Sequence, residues 1–316
     1  MSIGLEGQNL IFLISQPRAG STLTQKILGS HPQIHTISEP WIMLPLLYPL
    51  CYDDLQAEYN TKLARIGWDN FFQQLPDSKT AYYEHLSFMY ADLYSQVLKP
   101  TGKKYFLDKT PRYYYIISEI YKVFPQAQFI ILLRNPLAVL CSIIATWVKS
   151  DWLHLDQLKN DIVKAPGLLL EGIRELGDDC LVLHYEKLIA KPEIEFKRVC
   201  QAMKLKFAPK MIEYGATNST VWRFGDQKLV YQKSRPDPQN SDKWILLLKD
   251  PQTWQIANDY LEFLGHETLF QMGYSYQELR KILDTHRPQE LDSADVIHVE
   301  WLQRESNQNI EFASMN

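Results

Sequence analysis

Residues 9–30 read NLIFLIS-QPRAGST-LTQKILGS, and the way this stretch changes pattern twice decides the fold. Leu10 to Ile14 are apolar without a break, which suits a strand buried on both faces. Gln16 to Gly20 cannot extend that strand, because Pro17 lacks an N–H and Gly20 permits positive φ. From Ser21 the period becomes helical, with Leu23, Ile27 and Leu28 on one face, and Gly29 and Pro32 close the helix. A strand, a glycine-containing loop and a helix start aim backbone N–H groups at one point, the usual geometry for binding an anion such as phosphate. Arg18 adds a cationic fork, and Ser21 and Thr22 add hydroxyl donors. The plainer alternative is an ordinary strand-to-helix turn carrying an arginine. The G-x-x-x-x-G-K-[ST] spacing is absent, so the loop is not of the Walker type, and it is not G-x-G-x-x-G either.

Outward from this stretch the same architecture recurs. KYFL (104–107) reads as a strand ending in Asp108-Lys109-Thr110-Pro111, and QFIILL (128–133) as the most apolar strand, ending in Arg134-Asn135-Pro136 before a helix from Leu137 to Val148. CLVLH (180–184) reads as another buried strand, followed by Tyr185 and a helix from Pro192 to Met203. Further helices are expected at 80–98, 112–124, 166–176, 244–248, 251–264 and 277–284. Strand and helix alternate, so the expected fold is α/β, a P-loop-like three-layer arrangement with a central parallel sheet flanked by helices. Ligands then bind at the carboxyl ends of the strands. Arg18, Ser21, Thr22, Glu39, Lys109, Arg134, Ser142 and Tyr185 collect there: three cations, a carboxylate, three hydroxyl donors and a tyrosine. That set suits a doubly anionic nucleotide and one general base.

Other segments are less determinate. Trp41 to Tyr52 reads equally as a core helix or as the apolar wall of an acceptor pocket. His85, within the helix 80–98, is a candidate at the acceptor site, the plainer reading being a surface or hydrogen-bonded core histidine. Residues 216–242 hold Gly225, Pro236 and Pro238 and are expected to form a mobile loop. The expected organisation is one domain over 1–284 and a loosely packed polar tail over 285–316.

Composition narrows the function classes. With 316 residues, 46% of them hydrophobic, the chain can bury a sizeable core. A net charge of −4 argues against nucleic acid as the main partner. Cys51, Cys141, Cys180 and Cys200 form no C-x-x-C pair and no zinc spacing, and Cys141 and Cys180 lie in apolar runs, as free thiols of a reducing compartment would. No His/Asp/Glu cluster has metal-ligand spacing, so no metal is expected. No signal peptide or membrane span is visible, and the expected location is the cytoplasm.

Two of these turns together resemble sulfotransferases that use 3′-phosphoadenosine 5′-phosphosulfate (PAPS). QPRAGSTL (16–23) is similar to their 5′-phosphosulfate loop. LLRNPLAVLCSI (132–143) is similar to their 3′-phosphate motif, with Ser142 eight residues beyond Arg134. LHYEKLIAKP (183–192) resembles a third landmark, and the likeness runs from about Leu10 to Met203, with Lys243-Trp244 as a further point. The resemblance implies that Ser21, Thr22 and the backbone of Ala19 and Gly20 hold the 5′-phosphosulfate. It further implies that Arg18 stabilises the bridging oxygen, that Arg134 and Ser142 clamp the 3′-phosphate, and that Tyr185 and Lys243 lie at the nucleotide. Glu39 matches the catalytic carboxylate of the tyrosylprotein branch, and Lys109 a lysine near the transferred group. Ala19 stands where serine is usual, so one side-chain donor is missing. The histidine base of the cytosolic branch has no equivalent near Asp108, which favours Glu39; a capping role, or a salt bridge to Lys109, is the alternative for that carboxylate. The function so implied is sulfuryl transfer from PAPS to a hydroxyl acceptor, apolar or extended, small or carrier-bound, with Trp41 at its pocket and a larger synthase as a possible setting. The alternatives are a P-loop-like phosphotransferase and a non-catalytic nucleotide-binding protein.

Overall fold

In a computed structural model of the protein, residues 2–149, 151–216, 233–291, 296–297 and 299–302 are described. Five strands form β1 (Leu10–Ser15), β2 (Ile34–Thr36), β3 (Tyr105–Asp108), β4 (Gln128–Leu133) and β5 (Cys180–His184). They make one parallel sheet of order β2-β3-β1-β4-β5. β1 is central, and the chain crosses from one side of it to the other between β3 and β4. The loop after β1 therefore opens at the switch point of the sheet, where a crevice forms between strand ends.

The helices are α1 (Ser21–Gly29), α2 (Leu44–Cys51), α3 (Thr61–Phe72), α4 (Lys79–Leu98), α5 (Ile117–Val123), α6 (Pro136–Ile143), α7 (Leu153–Gln157), α8 (Lys159–Leu176), α9 (Tyr185–Ala190), α10 (Pro192–Ala202), α11 (Pro251–Gln271) and α12 (Tyr276–Thr285). Alternation along β1 assigns them to layers. Leu10, Phe12 and Ile14 point into a core shared with α4, α5 and α8. Ile11 and Leu13 point the other way, into a core shared with α1, α9 and α10. The expected three-layer α/β fold is thus present. Phe12 stacks on Phe129 with ring centres 5.6 Å apart, and truncating such a ring to alanine costs ~3–5 kcal/mol. A third apolar cluster joins α6, α11, α12 and the 3-10 segment Lys243–Lys249.

Several boundaries differ from the sequence reading. The helix expected over 112–124 divides into a 3-10 turn, Pro111–Tyr115, and α5, because Tyr113 and Tyr114 turn inward to buried carboxylates. α8 begins at Lys159, with Pro166 inside it. A proline there strips the carbonyl four residues earlier of its helical donor. That carbonyl belongs to Ile162, and the Tyr260 hydroxyl donates to it at 2.8 Å. β5 is half-buried for most of its length, as an edge strand is. Residues 217–232 of the expected mobile loop lie outside the described residues. The described part of the C-terminal stretch departs from the loose tail expected: Val299 and Leu302 are buried in the third cluster, and the Trp301 indole donates to Asp156 at 2.8 Å. Among the described residues no single helix is long and apolar enough to cross a membrane.

Candidate active site

Arg18 is the first residue of the β1 loop to leave ordinary backbone space, with φ 68°, and Gly20 follows at φ 98°. Between them the Ala19 N–H donates to the Gln16 carbonyl at 3.2 Å and closes the turn. The Ala19 amide, expected on the phosphosulfate, is therefore engaged. The first turn of α1 follows directly, and its N–H groups have no preceding helical carbonyl. Ser21 and Thr22 are buried in that turn.

The β4 turn is tied to this loop directly. Arg134 donates from Nη1 to the Arg18 carbonyl at 2.8 Å, and its guanidinium carbon sits 4.5 Å from the centre of the Tyr185 ring. Asn135 caps α6 by accepting from the Leu137 N–H, while its own N–H donates to Glu186 at 2.9 Å. The Tyr274 hydroxyl holds the other oxygen of Glu186 at 2.7 Å. Glu186 thus locks the β4 and β5 turns together, keeping Arg134 over Tyr185. The Arg18 Nε donates to Ser142 Oγ at 3.2 Å, and its guanidinium lies 5.7 Å from the Trp147 ring centre. In this arrangement Arg18, expected at the sulfuryl end, bonds the serine expected at the 3′-phosphate.

The second half of the site lies at the ends of β2 and β3. Lys109 and Glu39 form an ion pair with side chains only 1% and 8% exposed. Burial lowers the Lys109 pKa, against the opposing pull of Glu39 and then of Asp108. The Trp41 indole N–H donates to the other Glu39 oxygen at 3.2 Å. Arg112 lies 5.6 Å from the Trp41 ring centre and is itself held by Asp161, which also accepts from Tyr114. The stretch Trp41 to Tyr52 is divided between core and partly open positions. Met43, Leu47 and Leu50 are core, whereas Trp41, Ile42 and Tyr48 are half-buried, and Tyr48, Tyr52 and Tyr115 form an aromatic cluster with centres 4.6–5.6 Å apart.

Two of the expected residues are exposed. His85 is on the exposed face of α4, with Nδ1 2.9 Å from the Ala81 carbonyl, the surface position of the plainer reading. The buried face of that helix carries Tyr83, Leu86, Tyr90 and Tyr94, with Ser87 and Ser95 among them, while Phe88, Met89 and Leu93 share the exposed side with His85. Lys243 is exposed at the start of its 3-10 segment. The sequence reading missed Asp108, Thr110, Tyr113, Asp161 and Glu186 as organisers; a place at or just past a strand end could have marked Asp108, Thr110 and Glu186, but Tyr113 lies in the 3-10 turn and Asp161 in α8.

A model of the sulfotransferase family matches residues 10–209, which contain both arginine turns and the Glu39–Lys109 pair. The chain belongs to the sulfotransferase family. Among relatives of this sulfotransferase, nodulation protein NoeE of Sinorhizobium fredii is 28% identical over 289 residues, 84% of this chain and 66% of that protein. Protein-tyrosine sulfotransferase 1 of Danio rerio is 25% identical, over 69% of this chain and 61% of its own length. The match with these two thus spans about two thirds of their length or less. A solved sulfotransferase domain from the curacin biosynthetic pathway superposes with a TM-score of 0.48 at 18% identity, covering 74% of this chain and 89% of that one.

The site fits a nucleotide carrying two anionic groups. Arg134 Nε is buried without a hydrogen-bond partner among the described residues, a donor left for an anion. At Gly20 even a methyl group would meet the Tyr185 ring at 2.3 Å, so the loop is drawn close over that ring.

Proposed function

We propose that this sulfotransferase moves the sulfuryl group of PAPS to a hydroxyl of an apolar or extended acceptor, with Glu39 as the general base. PAPS would supply an activated sulfuryl group; holding it, neutralising it and taking the acceptor's proton fall to the chain. Arg134 and Ser142 would hold the 3′-phosphate, and Ser21, Thr22 and the first amides of α1 the 5′ end. Lys109 and Arg18 would stabilise charge where the group transfers, which requires Arg18 to leave Ser142. By analogy with in-line phosphoryl transfer, pre-aimed cations and donors supply most of the acceleration, a single donor being worth ~3 kcal/mol. A positioned base adds roughly 10²–10⁴ in rate.

The observation that carries this reading is the Glu39–Lys109 pair, buried at neighbouring strand ends with the carboxylate's second oxygen held by Trp41. A structural ion pair could serve stability alone. What favours catalysis is its place beside the switch point, next to half-buried Trp41 and Ile42. That partly open aromatic rim supports an apolar acceptor, free or carrier-bound as in a larger synthase.

The test is mass spectrometry of acceptors incubated with PAPS and the protein, using hydrophobic alcohols, carrier-bound alcohols, tyrosyl peptides and sugar polyanions. Addition of one sulfate to an alcohol, abolished in Glu39→Ala and Arg18→Ala with PAP (the spent nucleotide) still bound by Glu39→Ala, is the expected result. Sulfation of polyanions alone would refute the acceptor class. Turnover that needs ATP and Mg²⁺ and ignores PAPS would refute the reaction.

A further inference from the structure

Asp108 ends β3, one residue before Lys109, and is wholly buried. Three hydroxyls donate to it: Tyr94 of α4 to Oδ2 at 2.6 Å, Tyr113 to Oδ2 at 3.1 Å, and Thr110 to Oδ1 at 3.1 Å. Two of these hydroxyls also accept from the segment that follows Glu39. The Trp41 N–H donates to Thr110 Oγ1 at 3.3 Å, and the Met43 N–H donates to the Tyr113 oxygen at 3.3 Å. Between them the Ile42 carbonyl accepts from Tyr90, one turn before Tyr94 on α4, at 3.1 Å.

A hydroxyl has one proton and can both give and receive. Thr110 and Tyr113 can receive from the Trp41 and Met43 amides in this geometry because their own protons point at Asp108. An ionised carboxylate accepts only, so it fixes the direction of all three hydroxyls at once. The segment they grip would not hold itself in place. Trp41 has φ 59°, a conformation uncommon for any residue but glycine and strained for a bulky one. From Trp41 the indole then reaches back to Glu39.

We propose that Asp108 is a positioning residue, which through Thr110 and Tyr113 holds the Glu39–Trp41 turn in register with Lys109 so that the buried pair forms. The assignment rests on the reading of that pair as the transfer centre. The groups facing Asp108 are Tyr94, with Tyr90 behind it, from α4; Tyr113 from the 3-10 turn; and Lys109 from its own loop, with Glu39 beyond. Burial pushes the Asp108 carboxyl up to about 6, against the pull of its three hydroxyls and Lys109. Protonation below that point adds a donor where only acceptors fit, and the hydroxyls lose their common direction.

The experiment uses Asp108→Asn, which keeps the shape and removes the charge, in the full chain. Hydrogen exchange at the Trp41 and Met43 amides is read by NMR, with the β1 amides of Ile11 to Ile14 as reference. PAP release from PAPS is measured with 1-dodecanol as acceptor, and PAP affinity by calorimetry. The expected result is protection at Trp41 and Met43 lowered at least tenfold with β1 unchanged. Turnover falls at least tenfold with PAP affinity within twofold, and the gap from wild type narrows as pH drops through about 6. Thr110→Val reproduces the loss at Trp41, and Thr110→Ser restores it. Protection at both amides within twofold of wild type overturns the proposal, as does equal loosening of β1. If Asp108→Asn does not fold, the Thr110 pair decides: a serine no better than valine overturns it. A wild type that turns over no PAPS counts against the transfer reaction and leaves the exchange result to judge the positioning.

Discussion

Gly20→Ala is the sharpest single perturbation of the nucleotide cradle, because two costs fall on one methyl group. The first is local. Gly20 caps α1 at φ 98°, ψ 14°, and an L-residue in left-handed space costs roughly 1–2 kcal/mol. The second is packing. The new Cβ would lie 2.3 Å and 2.5 Å from two carbons of the Tyr185 ring, against an ordinary carbon contact of about 3.5–4 Å. The ring must retreat by roughly 1 Å, and Tyr185 is buried among Leu183, Leu188 and Ile189. Overpacking of this kind costs typically ~1–3 kcal/mol, so the total is about 2–5 kcal/mol. The retreat also removes the surface on which Arg134 rests. If Arg134 then loses one charge-assisted bond to a phosphate, ~1.5–3 kcal/mol, PAP affinity falls by roughly 10- to 100-fold. Gly102→Ala is the control: φ is 67° there but nothing lies within 4 Å, so it incurs the backbone cost alone. Thermal unfolding and calorimetric PAP titration of both variants separate the two costs. A Gly20→Ala protein that melts like Gly102→Ala and binds PAP within threefold of wild type would refute the account of the loop.

Glu39→Gln leaves the Lys109 ammonium buried without its carboxylate, which typically costs ~3–5 kcal/mol in urea unfolding; adding Lys109→Met should recover much of that stability while turnover stays lost. Arg134→Lys keeps the charge but gives up the planar fork that reaches the Arg18 carbonyl and the Tyr185 face, and PAP titration should show at least tenfold weaker binding. Asp108 also makes stability depend on pH. Its folded pKa, about 6, lies above the ordinary 3.8, so its contribution is fully present below 3.8 and lost as pH rises through about 6. Relative to Asp108→Asn, the wild type should lose about 2 kcal/mol between pH 4 and pH 7 in urea melts. His85→Ala should leave both turnover and melting temperature unchanged, since the ring sits on the exposed face of α4.

The parts of this protein legible from sequence are those where the chain solves a local problem. β1 and β4 had to be buried strands because five apolar residues in succession leave no solvent face, and each ends shortly before a proline that could not extend the ladder. Arg18 and Arg134 were marked by the same logic, as cations just past a strand end. Glu39 and Lys109 were visible as separate charges at such ends, with their pairing only one of two readings. The organisers were hidden for a physical reason. Apolar periodicity reports which face is covered, but not which hydroxyl meets which carboxylate. Asp108 takes its partners from α4, from its own loop and from the 3-10 turn, and its hydroxyls grip a segment almost seventy residues earlier. The start of α8 shows the same limit from the other side. Proline statistics place a helix start at Pro166, yet Tyr260, nearly a hundred residues downstream, supplies the donor that the proline removes. Polar hydrogen bonds stabilise only when every buried group is met, so their partners are chosen by the finished fold rather than by neighbours in the chain. A transfer site assembled from such bonds follows suit: its cations announce themselves in the sequence, while the groups that aim them become visible only once β2, β3 and α4 lie side by side.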